Sequence, residues 1–145
     1  MSELVRNREA KFDYEISDTY EAGLVLSGAE VKSAKRGHMS LKGSYVIVRG
    51  NEAWLLNATI TAYPPAGPQP NYDPHRSRKL LLQRREIDRL AGSLSREHLT
   101  LIPLEVYTHR GLLKIKIGLG RSRKKFEKRE VIKKREVERE MRRFR

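Results

Sequence analysis

Residues 100–119 read TLIPLEVYTHRGLLKIKIGL. Residues 100–108 and 112–119 are two extended runs, rich in β-branched and large apolar residues, joined at Arg110-Gly111. The pattern predicts two strands and a tight turn. In the second run Lys114 and Lys116 alternate with Ile115 and Ile117. That strand therefore has one core face and one wet, basic face. Working outward, residues 44–48 (SYVIV) and 53–56 (AWLL) flank Gly50-Asn51, a second hairpin signal. Residues 12–16 (FDYEI) and 20–26 (YEAGLVL) continue the extended pattern, with a bulge or bend expected at Gly23. Residues 80–82 form a short apolar run. Helical stretches are brief. Residues 29–35 (AEVKSAK) end at Gly37, and residues 86–94 carry Ile87, Leu90 and Leu94 as one stripe. The expected fold is mainly β: a small antiparallel OB-like barrel with short helices.

Charge divides the chain unevenly. The whole carries 31 Lys+Arg against 18 Asp+Glu, net +13. Residues 1–120 hold 18 basic and 13 acidic residues; residues 121–145 hold 13 and 5. The expected domains are a barrel, 1–120, and a basic tail, 121–145. The tail has no Gly or Pro and places Glu130–Lys134 and Glu138–Arg142 at i,i+4 spacing. Its six apolar residues do not make a core face. It is expected to be disordered alone and helical when bound to an anionic partner. A solvated surface helix is the plainer alternative.

Composition also excludes. Cys is absent, which removes disulfides, thiol nucleophiles and zinc knuckles. MSELVRNREAK has no apolar core, so a secretory signal is not expected. Residues 53–72 are uncharged, but four prolines exclude a membrane span there. A cytoplasmic protein with no membrane partner is expected. His38, His75, His98 and His109 lack ligand spacing, so no metal and no other cofactor is expected. Ser44 and Ser122 lack a nucleophile elbow. Gly118-Leu119-Gly120 begins like a phosphate-cradling loop, but a flexible exit from the barrel is the stronger reading. No catalytic residues can be assembled, and an enzyme is not expected. So basic a chain points to a nucleic-acid partner.

Three constellations carry chemistry. The first is YEAG at 20–23 followed by GAEVKS at 28–33. If Glu21 faces RNA, it accepts from base N–H groups; by residue type alone, pairing with a neighbouring Arg is favoured. The second, NYDPHRSRKLLLQ at 71–83, sets Arg76, Arg78 and Lys79 with two rings before an apolar run. Cations neutralise phosphates and rings stack on splayed bases, although a turn with solvated cations is compatible. The third, RSRKKFEKR at 121–129, embeds Phe126 among cations. It suits stacking plus phosphate contact, or docking of the ring on the barrel.

The runs YEAGLVLSGAEVKSAKRG, NYDPHRSRKLLLQRREIDRL, TLIPL and KKFEKRE, in this order, resemble the small protein B family. The likeness runs from about Asn7 into the tail. It implies an OB-like barrel that binds the tRNA-like domain of transfer-messenger RNA. It implies delivery of that RNA, with elongation factor Tu, to ribosomes stalled on broken messages. The barrel would stand in for the missing anticodon arm at the small-subunit decoding centre, and the tail would lie in the empty message channel. The stalled peptide would gain a degradation tag. The resemblance places the RNA-contacting acid on Glu21 and further contacts on Leu81 and Gln83. It places the tail motif on Glu127, Lys128 and Arg129, with Lys124, Lys125 and Phe126 before it. Gln83 stands where the family has Asn or His, Phe126 where it has His or Tyr, and Ser122 where Gly is usual. Ala34-Lys35 stands where it has Leu-Arg.

Overall fold

The computed structural model describes residues 2–123 and 125–143, without the side chains of residues 97, 125–127, 131 and 143. The decisive hairpin is β8 (Thr100–His109) and β9 (Leu112–Ser122). Arg110 and Gly111 both have positive φ, 53° and 78°, the geometry a two-residue hairpin turn demands. Ile115 and Ile117 are fully buried. Each adds roughly 1.5–3 kcal/mol of apolar burial. The other hairpin is β4 (Tyr45–Arg49) and β5 (Glu52–Leu56), turning at Gly50 and Asn51, again both at positive φ.

The remaining strands of the main sheet are β1 (Ser2–Arg6), β2 (Tyr14–Leu24) and β7 (Arg78–Leu81). Strand order is β1-β8-β4-β5-β7-β2-β9, and β9 pairs back onto β8. That last pairing closes an antiparallel ring with β1 added to β8. Closure leaves no free edge within the ring, and β1 stands outside it as an edge strand. A small pair, β3 (Met39–Ser40) with β6 (Thr59–Ile60), lies apart. Leu55, Leu80, Leu101, Val106 and the two isoleucines share one core. Helix α2 (Gly28–Lys35) starts at a capping box of Ser27 and Glu30. Helix α3 (Arg84–Glu97) buries Ile87 and Leu90, two members of the expected stripe.

Three expectations change. Residues 10–13 form a short helix, α1 (Ala10–Asp13), so the extended run begins only at Tyr14. The bulge in β2 falls between Ile16 and Asp18, not at Gly23. Ser17, the extra residue, turns its hydroxyl to the Leu119 carbonyl at 3.0 Å. Gly118 and Gly120 are not a flexible exit either. Both are buried inside β9. A Cβ on Gly120 would stand 2.3 Å from the Glu15 carbonyl oxygen, and one on Gly118 3.0 Å from Ile16. The glycines are there because β2 crosses too closely for a side chain.

β9 continues past Gly120, pairing Arg121 with Glu15 and Ser122 with Tyr14. The tail is helical in this chain, as α4 (Lys125–Arg143). Its first turns meet α1: Lys128 Nζ lies 3.3 Å from Asp13, and Lys128 and Arg135 stand over the Phe12 ring at 5.8 and 6.0 Å. Ile132, Val137 and Met141 remain exposed.

Candidate nucleic-acid interface

Strand alternation builds this surface. Ala22 and Leu24 of β2 point inward and are buried, which turns Glu21 and Gly23 outward. Gly23 pairs with Leu81 of β7. A Cβ on Gly23 would approach Leu81 Cβ to 3.3 Å, so the missing side chain leaves room for Leu81. Leu81 is 56% exposed, an apolar side chain offered to solvent beside a carboxylate. Two residues on, Gln83 caps α3. Its backbone N–H donates to Glu86 at 3.1 Å, and its side-chain oxygen accepts from Arg85 Nε at 3.0 Å. The fold thus gathers Glu21, Leu81 and Gln83, residues far apart in the chain, on the outside of one pair of strands and the helix that follows.

Among the described residues, no arginine pairs with Glu21. Its carboxylate accepts a hydrogen bond from the Tyr107 hydroxyl of β8. Burial, then that hydrogen bond to Glu21, pushes the Tyr107 hydroxyl well above its ordinary pKa. It therefore stays a donor. Lys116 lies opposite Glu21 in register, yet its ammonium sits 3.4 Å from Glu105. Lys114 lies opposite Gly23. Sequence alternation marks these two lysines only as a wet face, with nothing to join them to a site. Tyr107 carries no signal in the sequence, being one ring in an apolar strand.

The cations before β7 divide. Lys79 is 41% exposed and sits 3.1 Å from Glu52. Arg76 is 39% exposed and bonds Glu30 through Nε at 3.1 Å and through Nη2. Arg78 is wholly buried, which corrects its reading as a surface cation. Its Nε and Nη2 donate to Glu30 at 3.0 and 2.8 Å, Nη1 to the Ala58 carbonyl at 2.7 Å, and Nη2 also to the Pro74 carbonyl at 2.9 Å. A guanidinium so buried, and bonded through all three of its nitrogens to the protein, is out of reach of phosphate. The Tyr72 hydroxyl accepts from Arg78 at 3.0 Å and donates to the Ile60 carbonyl at 2.7 Å. This network pins the proline-rich segment to α2. Burial pushes the Glu30 carboxyl up, but hydrogen bonds from Arg76, the Ser27 backbone and Arg78 outweigh it and hold it at about 2. Glu30 escaped the sequence reading, although Ser27-x-x-Glu30 has capping-box spacing.

Of the tail residues, Lys124 and the side chains of Lys125, Phe126 and Glu127 lie outside the described residues. Lys128 contacts α1 as above, and Arg129 is exposed. Among the described residues no cluster of His, Asp and Glu could hold a metal ion. Among them, too, no helix is long and apolar enough to cross a membrane.

A closed antiparallel barrel, with a carboxylate, an apolar side chain and lysines on its outer strands and a cationic helix beyond, has the make-up of a nucleic-acid-binding module. The chain matches the family described as SmpB protein over residues 4–145. It is 48% identical to the SsrA-binding protein of Coprothermobacter proteolyticus, covering 99% of this chain and 96% of that one. It is 47% identical to the SsrA-binding protein of Gloeothece citriformis, covering 94% and 88%. A solved structure described as "tmRNA-SmpB: a journey to the center of the bacterial ribosome" superposes with a TM-score of 0.68 at 42% identity, over 86% of this chain and 87% of that one. The chain belongs to the SmpB family, which is a family of RNA-binding proteins.

Proposed function

We propose that this chain is a non-catalytic adaptor of trans-translation. It binds the tRNA-like domain of transfer-messenger RNA and brings that RNA to stalled ribosomes, where the nascent peptide is tagged for degradation. Elongation factor Tu joins through the RNA, and the work is cytoplasmic. The observation that carries this reading is family membership over residues 4–145, with relatives called SsrA-binding protein matched across most of their length.

The OB-like barrel holds the RNA. Glu21 accepts from base or ribose donors, Leu81 packs on a base or sugar, and Gln83 donates and accepts beside them. Lys79 and the exposed part of Arg76 neutralise phosphates. Arg78 serves from within by fixing the segment before β7. The tail binds the ribosome through residues 124–129 in the decoding centre and message channel. The division between barrel and tail, expected after residue 120, is proposed to lie just after Arg123, a reading supported by β9 running to Ser122 and by the Arg123 N–H donating to the Asp13 carbonyl at 2.8 Å.

Recovering RNA with the tagged protein from a bacterial lysate tests the reading. One dominant species with a tRNA-like end supports it. Bulk ribosomal RNA alone would instead make the chain a general RNA-binding or ribosomal protein.

A further inference from the structure

We propose that Tyr107 is the positioning residue that makes Glu21 a specific RNA reader. This rests on the reading of Glu21 as an RNA contact. β2 and β8 are not neighbours here; β9 runs between them, pairing Glu21 with Lys116 and Tyr107 with Lys114. Two strand spacings, about 10 Å, separate the two backbones. The Tyr107 side chain crosses that gap above β9, and its hydroxyl reaches the Glu21 carboxylate.

The choice of donor has a chemical consequence. The cross-strand lysine closest in register, Lys116, is drawn instead to Glu105. Among the described residues, the ion pairs leave Glu21 out. Glu21 is thus held by a neutral donor rather than by a cation. One carboxylate oxygen, Oε2, is used by Tyr107; the other is oriented and open to an incoming N–H or O–H. A free carboxylate on so basic a protein repels phosphate everywhere except where a donor is presented to it. An oriented one therefore rejects RNA that offers phosphate alone. An ion pair with lysine would cancel that rejection. A mobile glutamate would lose entropy on binding.

Tyr107 itself is 6% exposed, so its ring is fixed by packing before any RNA arrives. Glu21 is exposed. Removing the hydroxyl therefore strands no buried charge, and Tyr107→Phe should fold like the parent.

The experiment is a double-mutant cycle on the full chain. The probes are a transcript of the tRNA-like domain and an unrelated hairpin RNA of equal length. Tyr107→Phe should raise Kd for the tRNA-like transcript about ten-fold, the scale of one hydrogen bond to a charged group. It should leave Kd for the unrelated hairpin unchanged or lower. Once Glu21→Ala is present, adding Tyr107→Phe should change nothing further. A merely structural tyrosine would weaken both RNAs and add its effect to that of Glu21→Ala. Additivity, or an unchanged Kd in Tyr107→Phe beside a weakened Glu21→Ala, overturns the positioning role alone. If Glu21→Ala itself binds the transcript as well as the parent, the reading of Glu21 falls, and this one with it.

Discussion

Glu30 and Arg78 meet where water does not reach them. The carboxylate accepts from the guanidinium at 3.0 and 2.8 Å, and the two side chains are 2% and 0% exposed. One sits in the first turn of α2 and the other opens β7. The pair therefore joins the helix to the sheet through groups that cannot be left alone. Arg78→Ala should lower the free energy of unfolding by about 3–5 kcal/mol, because it leaves Glu30 buried with a weakened set of donors. Lys79→Ala, which breaks a half-exposed pair with Glu52, should cost about 1 kcal/mol or less. Urea melts of the two variants make the comparison, and equal losses would mean that the buried pair is no more than a surface contact.

The same carboxylate sets an acid limit. Its pKa is about 2 in the folded chain against an ordinary 4.5. The unfolded chain holds the proton more tightly, so protonation favours unfolding. The contribution from Glu30 is fully present above about pH 4.5 and is lost as the pH falls through about 2. It amounts to about 3 kcal/mol, since each tenfold change in proton affinity is worth roughly 1.4 kcal/mol. Urea midpoints compared at about pH 5.5, where the contribution is complete, and about pH 2.5, where most of it has gone, should drop further for the parent chain than for Glu30→Gln. Parallel lines would remove Glu30 from the acid response.

Gly120 is the second fixed point. β2 crosses it so closely that a Cβ would meet the Glu15 backbone oxygen at 2.3 Å, and backbone cannot rotate away. Gly120→Ala should destabilise by about 1–3 kcal/mol through forced separation of β2 and β9. Gly28→Ala is the control, since nothing lies within 4 Å of a Cβ built there. A thermal melt of each variant reads the difference, and an unshifted Gly120→Ala would show that the strands give way freely.

What can be read before folding follows range of interaction. The two hairpins are legible because turn residues and alternation are local: Arg110-Gly111 and Gly50-Asn51 both adopt the positive φ that their residue types allow. The face carrying Glu21 and Leu81 is reached through likeness to a family, not through spacing. Their adjacency depends on Gly23 pairing with Leu81 across 58 residues of chain. Arg78 misleads for a related reason. Three cations in four residues look like a surface patch, and only the position in space of Glu30, 48 residues away, says that one of them is buried. Ser17 misleads in the opposite sense. A glycine invites a bulge because its flexibility is obvious, but the bulge forms where β9's glycines let the chains approach. Tyr107 is illegible because its partner lies two strands away.

The tail gives the last prediction. α4 extends for 19 residues, about 28 Å at 1.5 Å per residue. Its links to the barrel cluster near its start, where Lys128 meets Asp13 and, with Arg135, stands over Phe12. Further along, past Arg135, the described side chains are exposed, so little packing holds that end against fraying. Amide exchange in the free protein should be slow near Lys128 and fast toward Arg143. A fragment ending at Arg123 keeps β9 whole and removes none of the core residues among those described. It should melt within a few degrees of the full chain and bind the tRNA-like transcript with nearly the same Kd, yet fail to support tagging on stalled ribosomes. Lys128→Ala with Arg129→Ala should behave like the fragment, and so should Phe126→Ala, for which loss of one stacked base costs about 1–3 kcal/mol. Phe126→Tyr keeps the ring face and should still tag. The two readouts separate two roles. If RNA binding and tagging fell together in the fragment, the tail would be part of the RNA-binding body, and its assignment to the message channel would have to be given up.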